Sequence, residues 1–149
     1  MNIKEAKEFI REKIVEAMQL LPEDLRLNVE IPGSISDYVL KHPIGTILVF
    51  YSGSEYKKKD IAYYIAQDRD MMIDVALIVR YRKEMTPEEY IDHILKSISG
   101  IEIDVKKTDK KIYAIKDEFI EEQAGIWTYI IHFNIPEEFF EETLEEQLE

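Results

Sequence analysis

"IYAIKDEFIEEQAGIWTYIIHFNI", residues 112–135, decides the fold. Two runs rich in β-branched and aromatic residues, Ile112 to Glu122 and Ile126 to Ile135, flank Gln123-Ala124-Gly125. A glycine-bearing turn between two such runs predicts an antiparallel hairpin. Upstream, Ile101, Ile103 and Val105 alternate with acidic residues and predict a short strand, followed by a polar loop from Lys106 to Lys111. Before that, Thr86-Pro87-Glu88-Glu89 has the form of a helix start: Thr86 caps, Pro87 suits the first helical position, and Glu89 completes a capping box. Tyr90 or Ile91, Ile94, Leu95 and Ile98 form its apolar stripe, and Gly100 stands where a left-handed C-cap residue belongs.

Met71 to Arg82 reads as a long strand with Ile73, Val75, Leu77 and Val79 on one face. Ile44 to Tyr51 is another strand. It lacks alternation, which predicts cover on both faces. Ser52-Gly53-Ser54 is expected to break it, and residues 55–70 carry mixed signals. Leu25, Leu27, Val29 and Ile31 alternate with polar residues as a strand with one wet face, and Pro32-Gly33-Ser34 marks a turn. Ile3, Ala6, Ile10, Ile14 (or Lys13), Ala17 and Leu21 step by threes and fours as an amphipathic helix that Pro22 ends. Pro136 opens a final segment in which Phe140, Leu144 and Gln147 or Leu148 share a helical face. Strands and helices do not alternate regularly. The expected class is therefore α+β: a mainly antiparallel sheet with an N-terminal and a middle helix on one face, plus an acidic C-terminal helix. Residues 1–135 read as one domain and 136–149 as a tail.

The 149 residues suit a single domain, and a chain this long buries about 68–70% of the surface its unfolded form exposes. No apolar run approaches the ~18–20 residues that cross a bilayer, and Met1 to Lys13 shows no apolar signal core. The absence of cysteine removes disulfides, thiolate metal sites and thiol nucleophiles, and fits a cytoplasmic setting. A net charge of −12 opposes general affinity for DNA or anionic membrane. Seven glutamates fall within residues 137–149; without them the charge would be −5. The acidity is thus largely C-terminal, as in solvated faces and interaction arms.

Catalytic patterns are sparse. Gly45, Gly53 and Lys57 to Lys59 match neither phosphate-binding glycine motif. Ser54 and Lys57 have the serine–lysine spacing without its companion motifs. His42, His93 and His132 form no zinc-ligand spacing and read as ordinary surface or half-buried residues. Asp60, Asp68, Asp70 and Asp74 are the donors a metal-dependent nuclease would use, although carboxylates are abundant throughout. Tyr113, Phe119, Trp127, Tyr129 and Phe133 read first as core and cross-strand packing. Trp127, just after a turn, is also placed to anchor an interface.

Several residues fall in a familiar order: His42-Pro43-Ile44-Gly45 before the apolar strand, Tyr51-x-Gly53-Ser54-x-Tyr56, Gln67-x-Arg69, Arg80, Ser99-Gly100, and Gly125-Ile126-Trp127-x-Tyr129 leading to Phe133. Over residues 3–135 this resembles the Mu-type phage tail terminator family. The acidic segment after Pro136 lies outside the resemblance. The resemblance implies an α+β fold related to lambda-type tail terminators and a structural role without catalysis or cofactor. Its partners would be copies of itself in a sixfold ring, the tail tube protein, and head–tail connector proteins. Such a chain would assemble in the host cytoplasm and end in the virion tail, with no membrane and no sequence-specific nucleic acid as partner. Gly53, Ser54, Tyr56, Lys57, Lys58 and Lys59 would then form a contact arm, with Trp127 as a further contact residue. Other neck or head–tail completion proteins, and the nuclease, are the alternatives.

Overall fold

A computed structural model describes residues 1–34, 38, 40–58, 66–101 and 111–140. Helix α1 spans Ile3–Gln19, and a 3-10 turn follows at Glu23–Leu25. Strands β1 (Asn28–Glu30), β2 (Gly45–Lys58) and β3 (Ala66–Arg80) precede helix α2 (Pro87–Ile98). Strands β4 (Tyr113–Gln123) and β5 (Ile126–Phe140) close the chain's described part. The five strands form one sheet in the order β1-β2-β3-β5-β4. Only the short β1 runs parallel to its neighbour; the other pairings are antiparallel. The chain is α+β, as its pattern predicts. No helix among the described residues is long and apolar enough to cross a membrane.

The helix ends have local causes. Asn2 caps α1 and Thr86 caps α2, each in a reciprocal capping box with Glu5 or Glu89. Gly100 adopts φ +83°, the left-handed geometry expected past a helix end. The hairpin turn places both Ala124 (φ 52°) and Gly125 (φ 80°) at positive φ, the pairing a two-residue hairpin loop requires.

Both helices lie on one face of the sheet. Ala6, Ile10, Ile14 and Met18 of α1 and Tyr90, Ile91, Ile94 and Ile98 of α2 join one core with alternate residues of the central strands. Those residues are Ile47 and Val49 of β2, Met71 to Val79 at odd positions of β3, and Ile131, Phe133 and Ile135 of β5. A fully buried side chain of this size stabilises by about 1.5–3 kcal/mol over leaving it exposed. Two polar ties fix the helices: Tyr90 donates to the Leu25 carbonyl at 2.6 Å, and His93 Nε2 meets the Ala17 carbonyl at 2.6 Å. On the opposite face Thr46, Leu48 and Ala76 are also buried, so β2 is covered on both sides as its lack of alternation predicts.

Four expectations are corrected. Leu25 to Ile31 is not all strand; only Asn28–Glu30 pairs, because Glu23–Leu25 turns first. Ser52-Gly53-Ser54 does not break β2. The register shifts between Tyr51 and Gly53, and the strand continues to Lys58. The mixed segment before Met71 belongs to β3 from Ala66 onward. Pro136 does not open a helix: β5 runs through it to Phe140, opposite Ala66 to Asp70 of β3. Proline fits there because β4 begins opposite Asn134, so among the described residues this part of β5 has no ladder on that side. The rest of the expected helix, Leu144 and Gln147 or Leu148 included, lies outside the described residues, as do the alternating Ile103 and Val105 and most of the 106–111 loop.

Candidate functional site

The basic stretch singled out by its lysines is the far end of β2, not a loop. Ser52 is the extra residue of a β-bulge, since Tyr51 faces Ile73 and Gly53 faces Met72. Gly53 has φ +140°, a conformation that side-chain-bearing residues rarely adopt. The bulge reverses the alternation of β2. Before it, Ile47, Val49 and Tyr51 face the helices; after it, Ser54 and Tyr56 take that side. The Tyr51 and Ser54 hydroxyls meet at 2.7 Å. Ser54 and Lys57 therefore point to opposite faces, which removes the serine–lysine pairing as a unit. Tyr56 is 50% exposed and Lys57 is exposed. Lys58 closes the strand; Lys59 lies outside the described residues.

Tyr56 pairs across the sheet with Arg69, and Arg69 with Glu137. Arg69 forms an ion pair with Glu137 on the buried side of this corner. Burial alone would lower the guanidinium's pKa, but bonds to Glu137 and Tyr56 outweigh that and hold it above its ordinary value. Glu137 belongs to the acidic tail by sequence. Its partner in β3 explains why the tail's first residues are drawn into the sheet.

On the face away from the helices, Asp74 and His132 stand directly opposite one another, with Asp74 Oδ1 2.7 Å from His132 Nδ1. His132 Nε2 is buried without a hydrogen bond, 3.7 Å from Glu118. Glu118 in turn lies 2.9 Å from Lys116, which with His132 holds its carboxyl below the usual range; the Lys116 bond is the larger cause. Asn134 donates to Asp70 at 3.3 Å. Asp70 and Asp74 are four residues apart on one strand, about 13 Å, too far to share a metal ion at bond lengths of about 2.0–2.6 Å. Asp60 lies outside the described residues, and among those described no three His, Asp or Glu side chains are grouped to hold a metal ion. The three histidines are half-buried as expected. The sequence does not reveal the Asp74–His132 pair, 58 residues apart. The available signal is a lone aspartate amid the apolar run 71–79.

His42 holds the start of β2: its Nδ1 accepts from the backbone N–H of Ile44 and of Gly45, both at 3.2 Å. Its ring proton is thereby placed on Nε2. A cavity of about 430 Å³ beside it is lined by polar residues including Thr46, Tyr38 and Lys41.

Trp127 sits in an aromatic cluster at the opposite corner. Phe119 of β4 lies 5.7 Å from Trp127 and 5.6 Å from Tyr129, centroid to centroid. Tyr129 donates to Glu88 at 3.1 Å, and burial followed by that carboxylate pushes its phenol above the usual range. The cluster is cross-strand packing, yet Phe119 stays 53% exposed. Tyr113, Ile115 and Ile120 on β4 are exposed as well. The expected cross-strand packing holds for Phe119, whereas neither Phe119 nor Tyr113 is core. The structure places them on an outer strand, with no neighbour on its far side among the described residues. The lysine-bearing end of β2 and the Trp127 cluster are therefore not one site. They lie on opposite sides of the central strand β3.

Residues 17–148 match the family model described as Gp37 protein, and the match runs through the acidic tail that the terminator resemblance left out. No curated protein matches the chain.

Proposed function

The chain belongs to the Gp37 protein family, a phage-type family, and from that premise we propose a structural role: a ring of copies that caps the end of a phage tail tube and offers a surface to head–tail connector proteins. The observation that carries this reading is the outer edge of β4. Tyr113, Ile115, Phe119 and Ile120 are between 44% and 53% exposed along a single strand. Tyr113 and Ile115 lie beside Met72 and Asn134 on the face away from the helices, and Phe119 lies beside Trp127 and Tyr129 on the helix face, so both faces of a strand that has no outer neighbour among the described residues carry exposed apolar side chains, which supports a protein partner there. The order of short motifs shared with Mu-type tail terminators supports the finer assignment. In this reading the chain makes and breaks no bond, binds no cofactor, and works in the host cytoplasm and then in the virion tail.

Rings use heterologous contacts, in which one patch meets a different patch on the neighbour. A continuous sheet sets the angle between the patches, and β3, paired along its length on both sides, supplies the stiffness. The test is co-assembly of the purified chain with the tube protein of the phage that encodes it, viewed by negative-stain microscopy. Tubes of limited length carrying extra density at one end are expected. Tubes that lengthen without limit and show bare ends would overturn the assignment. Binding only to tubes already completed by another protein would move the chain to the neck.

A further inference from the structure

Two carboxylates oppose one another on the face of the sheet away from the helices. Glu55 of β2 and Asp70 of β3 are direct cross-strand partners, and Met71, next to Asp70, belongs to the core on the other face. Like charges directly opposite one another destabilise a sheet. A cation between them would remove that cost, yet none of the described residues supplies one. Glu55 has no side-chain partner, and Asp70 has only the Asn134 amide, at 3.3 Å. The two carboxylates share a hollow of about 300 Å³ with Met72, Tyr113, Ile115 and Asn134. The register shows how it is built. Met72, Asn134 and Tyr113 stand in one row across β3, β5 and β4, and Gly53, close to Met72 on β2, adds no side chain to that row. The hollow is thus acidic at Glu55 and Asp70 and apolar and aromatic on the β4 side, where Tyr113 is 51% and Ile115 46% exposed.

We propose that this hollow receives an arginine side chain from a basic partner protein, held between Glu55 and Asp70 and laid against Tyr113. The proposal rests on the reading above that the β4 edge meets a protein partner, and it names what that partner presents. The chemistry selects arginine. Opposed side chains on neighbouring strands leave the backbone about 4.5–5.5 Å apart at Cβ, within the reach of one guanidinium. That group offers five N–H donors in a planar fork, so it can bond two carboxylates at once. Its flat face stacks on a tyrosine ring, and its stem covers apolar carbons such as those of Met72 and Ile115. A hollow at the small end of the range for ligand pockets suits a single side chain. Arginine and tyrosine are also enriched among the residues that anchor protein interfaces. A bare metal ion suits the place less, because among the described residues no third His, Asp or Glu joins these two carboxylates. The chain's net charge of −12 opposes a second copy at an acidic site, so the partner is a different protein with a basic surface.

The probe is a short peptide, acetyl-Gly-Arg-Gly-amide, with citrulline in place of arginine as the uncharged control. Each is titrated into the isotopically labelled full chain and followed by amide NMR shifts. Saturable shifts at Glu55, Asp70 and Tyr113 to Ile115 are expected with the arginine peptide, and several-fold weaker binding of the citrulline peptide. Glu55→Gln removes one charge at an exposed position and should weaken the arginine peptide several-fold. Its urea midpoint should stay at or above the parent's, because one of two opposed charges is gone. Equal binding of the two peptides, unchanged binding by Glu55→Gln, or no shift at these residues would overturn the proposal. Dimers of the free chain that Glu55→Gln dissolves, seen by sedimentation velocity, would also overturn it by giving the site to a second copy. Tube capping is read separately: a chain that caps tubes but ignores the arginine peptide loses this site and keeps its structural role.

Discussion

Gly45 stands where β2 enters the sheet, and replacing it with alanine sets two effects of opposite sign against each other. A methyl group at that position would lie 2.5 Å from the Ile78 carbonyl oxygen, 3.0 Å from Val79 Cα and 3.2 Å from Leu27 Cδ2. Ordinary carbon–oxygen approaches begin near 3.3 Å, so about 0.8 Å must be found. The obstacle is backbone of β3, which is paired on both sides and cannot recede without stretching a ladder. Overpacking of this sort costs about 1–3 kcal/mol. Against it, alanine spares about 0.5–1 kcal/mol of backbone entropy relative to glycine in a strand. The clash wins, with a net loss of about 1–2 kcal/mol. At about 2–4 °C per kcal/mol for a chain of this size, Tm falls by about 2–8 °C. Urea unfolding followed by far-UV circular dichroism should show a lower midpoint at unchanged slope. Gly33→Ala serves as control: no atom lies within 4 Å of its added methyl, and it should be neutral or slightly stabilising. A Gly45→Ala protein as stable as its parent would refute the close-approach reasoning.

Gly53→Ala should destabilise for a different reason: its space is open but its φ is +140°, so the cost is backbone strain of about 1–3 kcal/mol, read from the same urea midpoints. Tyr90→Phe loses the 2.6 Å bond to Leu25, about 0.5–1.5 kcal/mol. The same variant tests linkage. Burial is the first cause holding the Tyr90 phenol above its ordinary pKa of 10.0. A raised folded pKa gives stability that is complete below pH 10.0 and fades as pH climbs through the folded value, so the parent should lose stability above pH 10.0 more steeply than Tyr90→Phe. Asp74→Ala leaves Nδ1 of the half-buried His132 without its partner and should cost about 1–3 kcal/mol, whereas an unchanged unfolding midpoint would show that the pair contributes nothing.

What the sequence shows plainly is whatever has a local cause. Thr86, Pro87 and Glu89 define the start of α2 within four residues, and Gly100 its end, so that helix is legible without knowing its neighbours. The β4–β5 hairpin is legible for the same reason, through Ala124-Gly125. Strand ends are decided elsewhere. Ser52-Gly53-Ser54 has turn chemistry, but β3 offers a pairing partner at every position from Gly53 to Lys58, and the ladder absorbs the glycine as a bulge. Pro136 signals a stop, but Arg69 on β3 pairs with Glu137, and among the described residues no ladder on the β4 side needs the missing N–H. The parallel docking of β1 and the Asp74–His132 pair join residues far apart in sequence, and no local pattern announces either.

The single extra residue at Ser52 connects these levels. In an unbroken strand, Tyr51, Gly53, Glu55 and Lys57 would all face the helices, placing a carboxylate and an ammonium over the core side of the sheet. With the bulge, Ser54 and Tyr56 take that side, and Lys57 turns to the other. Tyr56 can then lie against Arg69, whose charge is already met by Glu137, while its ring remains half exposed. The residue most exposed among the aromatics of β2 is thus backed by a part-buried ion pair, and Lys57 and Lys58 beyond it sit on a strand. A side chain fixed from below loses less entropy on meeting a partner than one on a mobile arm. The glycine that reads as a break therefore sets which side chains of this corner face the helices and which face away.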